Sequence, residues 1–240
     1  MSNTVYPLGK PSDWTTISGK PYITVSAKGI VNGLSSIPND GADFGPDSML
    51  NATAPNQYGP PYSVTSGIQE AIIYAGLLGG GKIFLKSGTY YLSATATIHP
   101  QVPNAGSNNI IIEGEDKYTT VLIQTAAYNL LGIITASNIT IRNLTLNANN
   151  NGIAIYADSC NYLTIENNII ENGSGFTTFA DVTFGVGTNI IIRNNVYIGG
   201  PASTNDYIGG NGVNYFIENN IIIGYAGTTG EAIGIGGGSQ

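Results

Sequence analysis

The sequence predicts an all-β chain folded as a right-handed parallel β-helix, a solenoid with about three short strands per coil. Three observations predict it. The first is an internal repeat: NITIRNLTL from Asn138, YLTIENNII from Tyr162, NIIIRNNVYI from Asn189 and NYFIENNIII from Asn214. The second is its near-constant period. Ile141, Ile165, Ile192 and Ile217 superpose when the four segments are aligned, and Asn143, Asn167, Asn194 and Asn219 keep the same steps. The third is a further set of apolar stretches between these segments, at Leu131–Ile134, Ile153–Tyr156, Val182–Val186 and Ala232–Ile235. Alternation within each stretch turns every second side chain inward.

Taken in order, residues 1–62 show no sustained period and hold eight of the eleven prolines. They predict an irregular arm or docking segment, with a short strand at Tyr22-Ile23-Thr24-Val25. Residues 63–240 are expected to form a capping helix followed by the β-helix. Thr65 or Ser66 can cap the helix, with Gln69 and Glu70 in its first turn. Ile68, Ala71, Ile72 and Ala75 share one face, and Gly79-Gly80-Gly81 ends it. Such a helix would cover the open edge of the first coil. Strands then follow at Lys82–Leu85, Tyr90–Leu92, Asn109–Glu113 and Val121–Ile123. At the corners, Asn143, Asn167, Asn194 and Asn219 suit a left-handed backbone, and stacked amides can bond from coil to coil. An Arg or Glu precedes each one: Arg142, Glu166, Arg193 and Glu218. The last strand is followed by Gly236-Gly237-Gly238-Ser239-Gln240, so the solenoid is expected to be uncapped at that end.

Composition narrows the partners. Charged residues make up 10% of the chain, against about 25% in an ordinary soluble protein. Eight basic residues face fifteen acidic ones, for a net charge of -7. That balance argues against nucleic acid and anionic membrane as partners, and no apolar run approaches the ~20 residues of a membrane span. No signal peptide is visible after Met1. Few carboxylates and many Asn, Thr and Tyr suit an external, acid-tolerant surface. Cys160 stands alone and reads as a small buried hydrophobe.

Four elements carry a resemblance to a known family. They are Asn39-Asp40-Gly41-Ala42-Asp43, then SGIQEAI, then GGGKIFLKSGTYYL, then NNIIIEGEDKYTTVLI. In this order they resemble the N-terminal module of the pectin-lyase-like superfamily, shared by polysaccharide lyases, glycoside hydrolases and viral tailspikes. Glu115 stands where that pattern places a second glycine. The resemblance implies a β-helix, and it hosts enzymes, adhesins and spikes alike. It also implies what an enzyme of the fold would carry. Polygalacturonase-like hydrolases have paired Asp, a Gly-His-Gly and an Arg-x-Lys, and none of these occurs here. Pectate lyases use a calcium-binding acidic cluster and an Arg base, whereas this chain has only Arg142 and Arg193, both beside a corner Asn.

Among candidate site residues, Asp181, Asp206 and Glu231 are equally spaced along the chain. Equal spacing would set neighbours about 5 Å apart and the outer pair about 10 Å apart. Glycosidase carboxylates stand about 5 to 5.5 Å or about 6.5 to 9.5 Å apart, so the geometry is permissive. The plainer alternative is three solvated carboxylates at loop ends. Asp40, Asp43 and Asp47 match no established calcium loop and read as turn chemistry, so no metal and no cofactor are expected. His99, the only histidine, reads as structural. Tyr156 and Tyr207 are candidates for stacking on a glycan, among the repeat-region tyrosines 156, 162, 197, 207, 215 and 225. Sequons occur at Asn51, Asn138, Asn143 and Asn172, with Asn51 and Asn172 in loops as the acceptors.

These readings converge on a surface-displayed structural or recognition β-helix, such as a virion tailspike or fibre component, at an extracellular or virion-surface location. Homo-oligomeric assembly through the N-terminal segment and attachment to a cell-surface glycan are the expected partnerships. A polysaccharide lyase or glycoside hydrolase, and a secreted cell-surface scaffold, are the alternatives.

Overall fold

A computed structural model of the chain describes residues 22–29, 40–101, 108–173, 182–199, 208–223 and 233–237. Its strands fall into three rows that repeat along the chain. The first row is β2 (Gly81–Leu85), β5 (Ile110–Gly114), β8 (Ser137–Arg142) and β11 (Asn161–Glu166). The second is β3 (Gly88–Leu92), β6 (Thr120–Gln124), β9 (Thr145–Asn147), β12 (Ile169–Glu171), β14 (Val196–Ile198) and β16 (Ile221–Ile223). The third is β4 (Ala96–Ile98), β7 (Leu131–Ile134), β10 (Ile155–Asp158) and β17 (Ile233–Gly237). Every pairing between these strands is parallel.

Two long strands, β13 (Val182–Arg193) and β15 (Ile208–Glu218), continue both the first and the third row. The expected three faces therefore resolve into one sheet of 11 strands and one of 6. Gly185, Gly187, Gly209, Gly210 and Gly212 lie within β13 and β15, where backbone without Cβ atoms lets strand pairing run through the bend.

The core is an aliphatic stack. Ile83, Ile112, Ile141, Ile165, Ile192 and Ile217 are in register on successive coils. The first five are no more than 1% exposed, and Ile217 packs against them partly buried. On the opposite sheet Tyr90, Leu122, Leu146, Ile170, Tyr197 and Ile222 form the facing column. Each inward branched side chain stabilises the fold by about 1.5–3 kcal/mol relative to exposure.

The helix α1 spans Ile68–Leu77 and packs against β2, β4 and β1 (Ile23–Val25). Its buried face holds Ile68, Ala71, Ile72 and Ala75, the four residues that the periodicity groups together, and also Ile73 and Glu70. Gln69 pairs its amide with the edge strand β4, donating to the Thr97 carbonyl (3.1 Å) and accepting from the Thr97 N–H (2.6 Å). The helix starts later than its predicted cap. Gly67 occupies the N-cap position at φ 84°, while the Thr65 hydroxyl still accepts from the Gln69 N–H at 3.1 Å. The reason is a close approach: a Cβ on Gly67 would lie 2.5–2.9 Å from backbone atoms of Gly45.

The predicted strand near residue 23 is present as β1, which adds to β2. Asp43 holds it in place, accepting from the Thr24 N–H (2.8 Å) and hydroxyl (2.7 Å). Asp40 accepts from the Ser26 hydroxyl and pairs with Lys86 at 3.4 Å. The Asp-Gly-Ala-Asp motif thus stitches residues 40–44 to the first coils. Glu115, the departure from the family turn, accepts from the Ser87 N–H at 2.8 Å and closes the next turn.

Gly67 and Gly79 separate two costs, because both have φ near 84° but only Gly67 faces backbone. Gly79→Ala is expected to lower unfolding free energy by about 1–2 kcal/mol, the left-handed penalty alone. Gly67→Ala is expected to lose clearly more than that. Urea denaturation of the two variants measures the difference.

Candidate functional site

The corner after the first row is the most repetitive local feature. Asn143, Asn167, Asn194 and Asn219 sit there at φ 58°, 55°, 57° and 51°. A left-handed residue reverses the alternation of side chains, so the next residue points inward. Asn167, Asn194 and Asn219 are accordingly exposed. Asn167 Nδ2 donates to Asn143 Oδ1 at 2.7 Å, and Lys117 Nζ donates to Asn167 Oδ1 at 2.7 Å.

The inward ladder lies one residue further on, at Asn168 and Asn195, both buried, and Asn220, half-buried. Asn168 Nδ2 donates to Asn195 Oδ1 (3.2 Å) and to the Ile141 carbonyl (3.0 Å). Asn195 Nδ2 donates to Asn220 Oδ1 (3.1 Å) and to the Ile165 carbonyl (2.9 Å). The backbone N–H groups of Leu144, Asn168 and Asn195 donate to the Oδ1 of the next member. Sequence reasoning placed the ladder on the first Asn of each pair. The signal for the second was present in Asn167-Asn168, Asn194-Asn195 and Asn219-Asn220.

One residue before the corner, the outward side chains alternate in charge. Glu113, Arg142, Glu166, Arg193 and Glu218 are in register on successive coils. Arg142 donates through Nε to Glu113 at 2.8 Å and pairs with Glu166 at 3.5 Å. Arg193 pairs with Glu166 at 2.7 Å, and Lys82 with Glu113 at 2.8 Å. Burial alone would raise the Glu113 carboxyl, but hydrogen bonds and charge from Lys82 and Arg142 hold it below the usual range. Both arginines are thereby engaged with glutamates.

A second left-handed corner precedes the first row. Asn109, Asn138, Tyr162, Asn189 and Asn214 stack there at φ 66°, 60°, 56°, 57° and 61°. Asn138 Nδ2 donates to Asn109 Oδ1 at 3.1 Å, and Asn214 Nδ2 to Asn189 Oδ1 at 3.2 Å. Tyr162 interrupts the row and is 59% exposed. A left-handed backbone costs an ordinary L-residue about 1–2 kcal/mol, and Asn relieves it through local hydrogen bonding where Tyr does not. The aligned repeats already show Tyr162 where three other segments begin with Asn.

The remaining tyrosines divide. Tyr197 is buried in the core column, and Tyr215 packs partly buried against the core. Tyr156 points outward on β10 and is half-buried, in register with Gly132 and Thr183. Tyr207 and Tyr225 lie outside the described residues, as do Asp181, Asp206 and Glu231. The strands following those acids pair Val182 with Ile208 and Ile208 with Ile233, so the first step is one position longer than the second. Coil spacing at the first step therefore differs from the acids' equal spacing. Among the described residues, no three His, Cys, Asp or Glu side chains group to hold a metal ion. Cys160 is buried, its thiol donates to the Ile133 carbonyl at 3.1 Å, and burial pushes it up to about 11. Of the sequons, Asn51 is exposed in a turn, whereas Asn172 is half-buried and donates to Asn147 Oδ1 at 3.3 Å.

Parallel coils around one aliphatic core, entered after a short helix, define a parallel β-helix. Among solved structures, the A-module of a mannuronan C-5 epimerase from Azotobacter vinelandii is similar over 65% of this chain, at 19% identity and a TM-score of 0.39. A pectin methylesterase in complex with a hexasaccharide is similar over 58% of this chain, at 15% identity and a TM-score of 0.34. The chain spans 52% and 58% of those two structures. No protein-family model and no curated protein matches it.

Two sets of variants test these interactions. Asn195→Ala strands the Asn168 N–H and the Ile165 carbonyl, and is expected to cost about 2–5 kcal/mol, against well under 1 kcal/mol for Asn194→Gly. Urea denaturation of both reads the contrast. Glu70, fully buried on α1, has its carboxyl raised by burial despite hydrogen bonds from Ser63, Asn51 and Thr65. A raised folded-state value gives stability at low pH that is lost as pH climbs through it. Glu70→Gln is therefore expected to gain on wild type with rising pH. Glu113, held low, contributes stability above the ordinary Glu value of about 4.3 that is lost on acidification. Glu113→Gln should fall behind wild type at neutral pH and converge with it in acid. Unfolding free energies between about pH 3 and pH 8 check both signs.

Proposed function

We propose that the chain is a surface-displayed recognition β-helix, such as a virion tailspike or fibre component, that attaches to a host surface or glycan. The observation that supports this reading is the fate of the charges. Arg142, Arg193, Glu113 and Glu166 pair with one another along one outer column. What the left-handed corners from residue 162 onward present to solvent is amide, hydroxyl and aromatic: Asn167, Asn194, Asn214, Asn219 and Tyr162. Such groups recognise uncharged polar surfaces through hydrogen bonds and ring stacking. Lyase chemistry needs a base and a neutraliser of the uronate, and hydrolysis needs two carboxylates with separated pKa values. Arginines already holding glutamates are poor candidates for the first role.

The test is a pair of assays on the full chain. Binding to immobilised cell-surface polysaccharides is expected, without turnover of neutral or anionic polysaccharides at acidic or neutral pH. Turnover abolished by Asp181→Asn or Asp206→Asn would replace this reading with a polysaccharide lyase or glycoside hydrolase.

A further inference from the structure

We propose that Tyr162 is the stacking platform of a subsite for one uncharged pyranose ring, with Asn138 and Asn189 as its polar walls. The inference rests on the recognition reading and adds its place and ligand class. It starts from the interrupted corner row. In the intact steps, the later Asn donates through Nδ2 to Oδ1 of the earlier one, as Asn214 does to Asn189 and Asn138 to Asn109. Tyr162 stands between these two linked pairs. The break leaves Asn138 Oδ1 as an acceptor and Asn189 Nδ2 as a donor, and no hydrogen bond satisfies either among the described residues.

The resulting surface has one ring exposed at its centre, with an acceptor on one side and a donor on the other. Each flank lies one coil away, about 4.8 Å. A pyranose has a face of C–H groups that stacks on an aromatic ring, and rim hydroxyls that both donate and accept. It matches all three elements. Charge selects among sugars. The nearest charged column, Arg142, Glu166 and Arg193, is internally paired, and the whole chain carries -7. Uronate and sulfated polymers, like nucleic acid, lack a cation to meet here. The backbone at Tyr162 supports the same conclusion. An exposed Tyr in a conformation otherwise given to Asn on this corner is a strained choice, and strain of this kind clusters at ligand sites.

The experiment is affinity electrophoresis of the full chain through gels containing mannan, dextran or a soluble β-glucan, with alginate and polygalacturonate in parallel. At least one neutral polymer is expected to retard wild type. Tyr162→Phe keeps the ring and should retain that retardation. Tyr162→Ala and Tyr162→Asn should lose at least tenfold in affinity, while Tyr91→Ala, an exposed tyrosine on another face, stays at wild type. Tyr162→Asn restores the amide row, so its melting temperature should equal or exceed that of wild type. A Tyr162→Asn protein that binds like wild type, that melts lower, or a wild type held only by the anionic polymers overturns the subsite. Cell-surface binding that survives Tyr162→Asn refutes the subsite and leaves the recognition reading standing. Absence of any glycan or cell-surface binding by wild type refutes both.

Discussion

The left-handed corner is the constraint on which this solenoid depends. A coil of some two dozen residues closes only if the chain turns sharply between short strands, and on both sides of the first row from residue 138 onward one residue at φ between 51° and 61° makes that turn. That single dihedral has two effects. It throws its own side chain outward, and it turns the next one into the core. Asn143 and Leu144, Asn167 and Asn168, Asn194 and Asn195 are the two consequences side by side. The outward member is free to serve the surface. Where the inward member is Asn, its amide must be satisfied in the core, and it bonds the backbone and the next Asn amide of neighbouring coils. Stability and display are thus assigned to adjacent residues by the geometry of one turn.

Much of this was legible in the sequence, for identifiable reasons. The aliphatic stack could be read from Ile141 onward because the coils there are nearly equal in length and carry near-identical strands. The earlier coils are longer, which hides Ile83 and Ile112 from a simple alignment although they join the same column. The helix face was legible from its period, but its start was not. Gly67 is required by the backbone of Gly45, a contact remote along the chain that no local cap pattern records. The inward asparagines were missed because a strict alternation rule counts through the corner, whereas a left-handed residue resets the count. Tyr162 was visible as the odd letter in an aligned column, but its meaning depends on φ, which the alphabet does not carry.

The N-terminal segment shows the same division. Its prolines and glycines announce irregular backbone, yet Asp40 and Asp43 bind residues 40–44 to β1 and to Lys86. Carboxylates taken out of water are costly unless hydrogen-bonded, and Asp43, buried, and Asp40, partly so, acquire these partners only when the first coil is in place. Carboxylates grouped in sequence as if for a cation are used here as structural acceptors.

The alternating charges also bear on how such a chain can change length. Glu113, Arg142, Glu166, Arg193 and Glu218 occupy one column, each opposite in sign to its neighbours within the column. Losing one interior coil would bring two glutamates or two arginines face to face, and duplicating one would do the same. Losing or gaining two leaves every contact attractive. Like charges directly opposite on adjacent strands are destabilising. The column therefore imposes a parity on the solenoid: it can grow or shrink by even numbers of coils more readily than by odd, a counting rule written in side chains that no single coil contains.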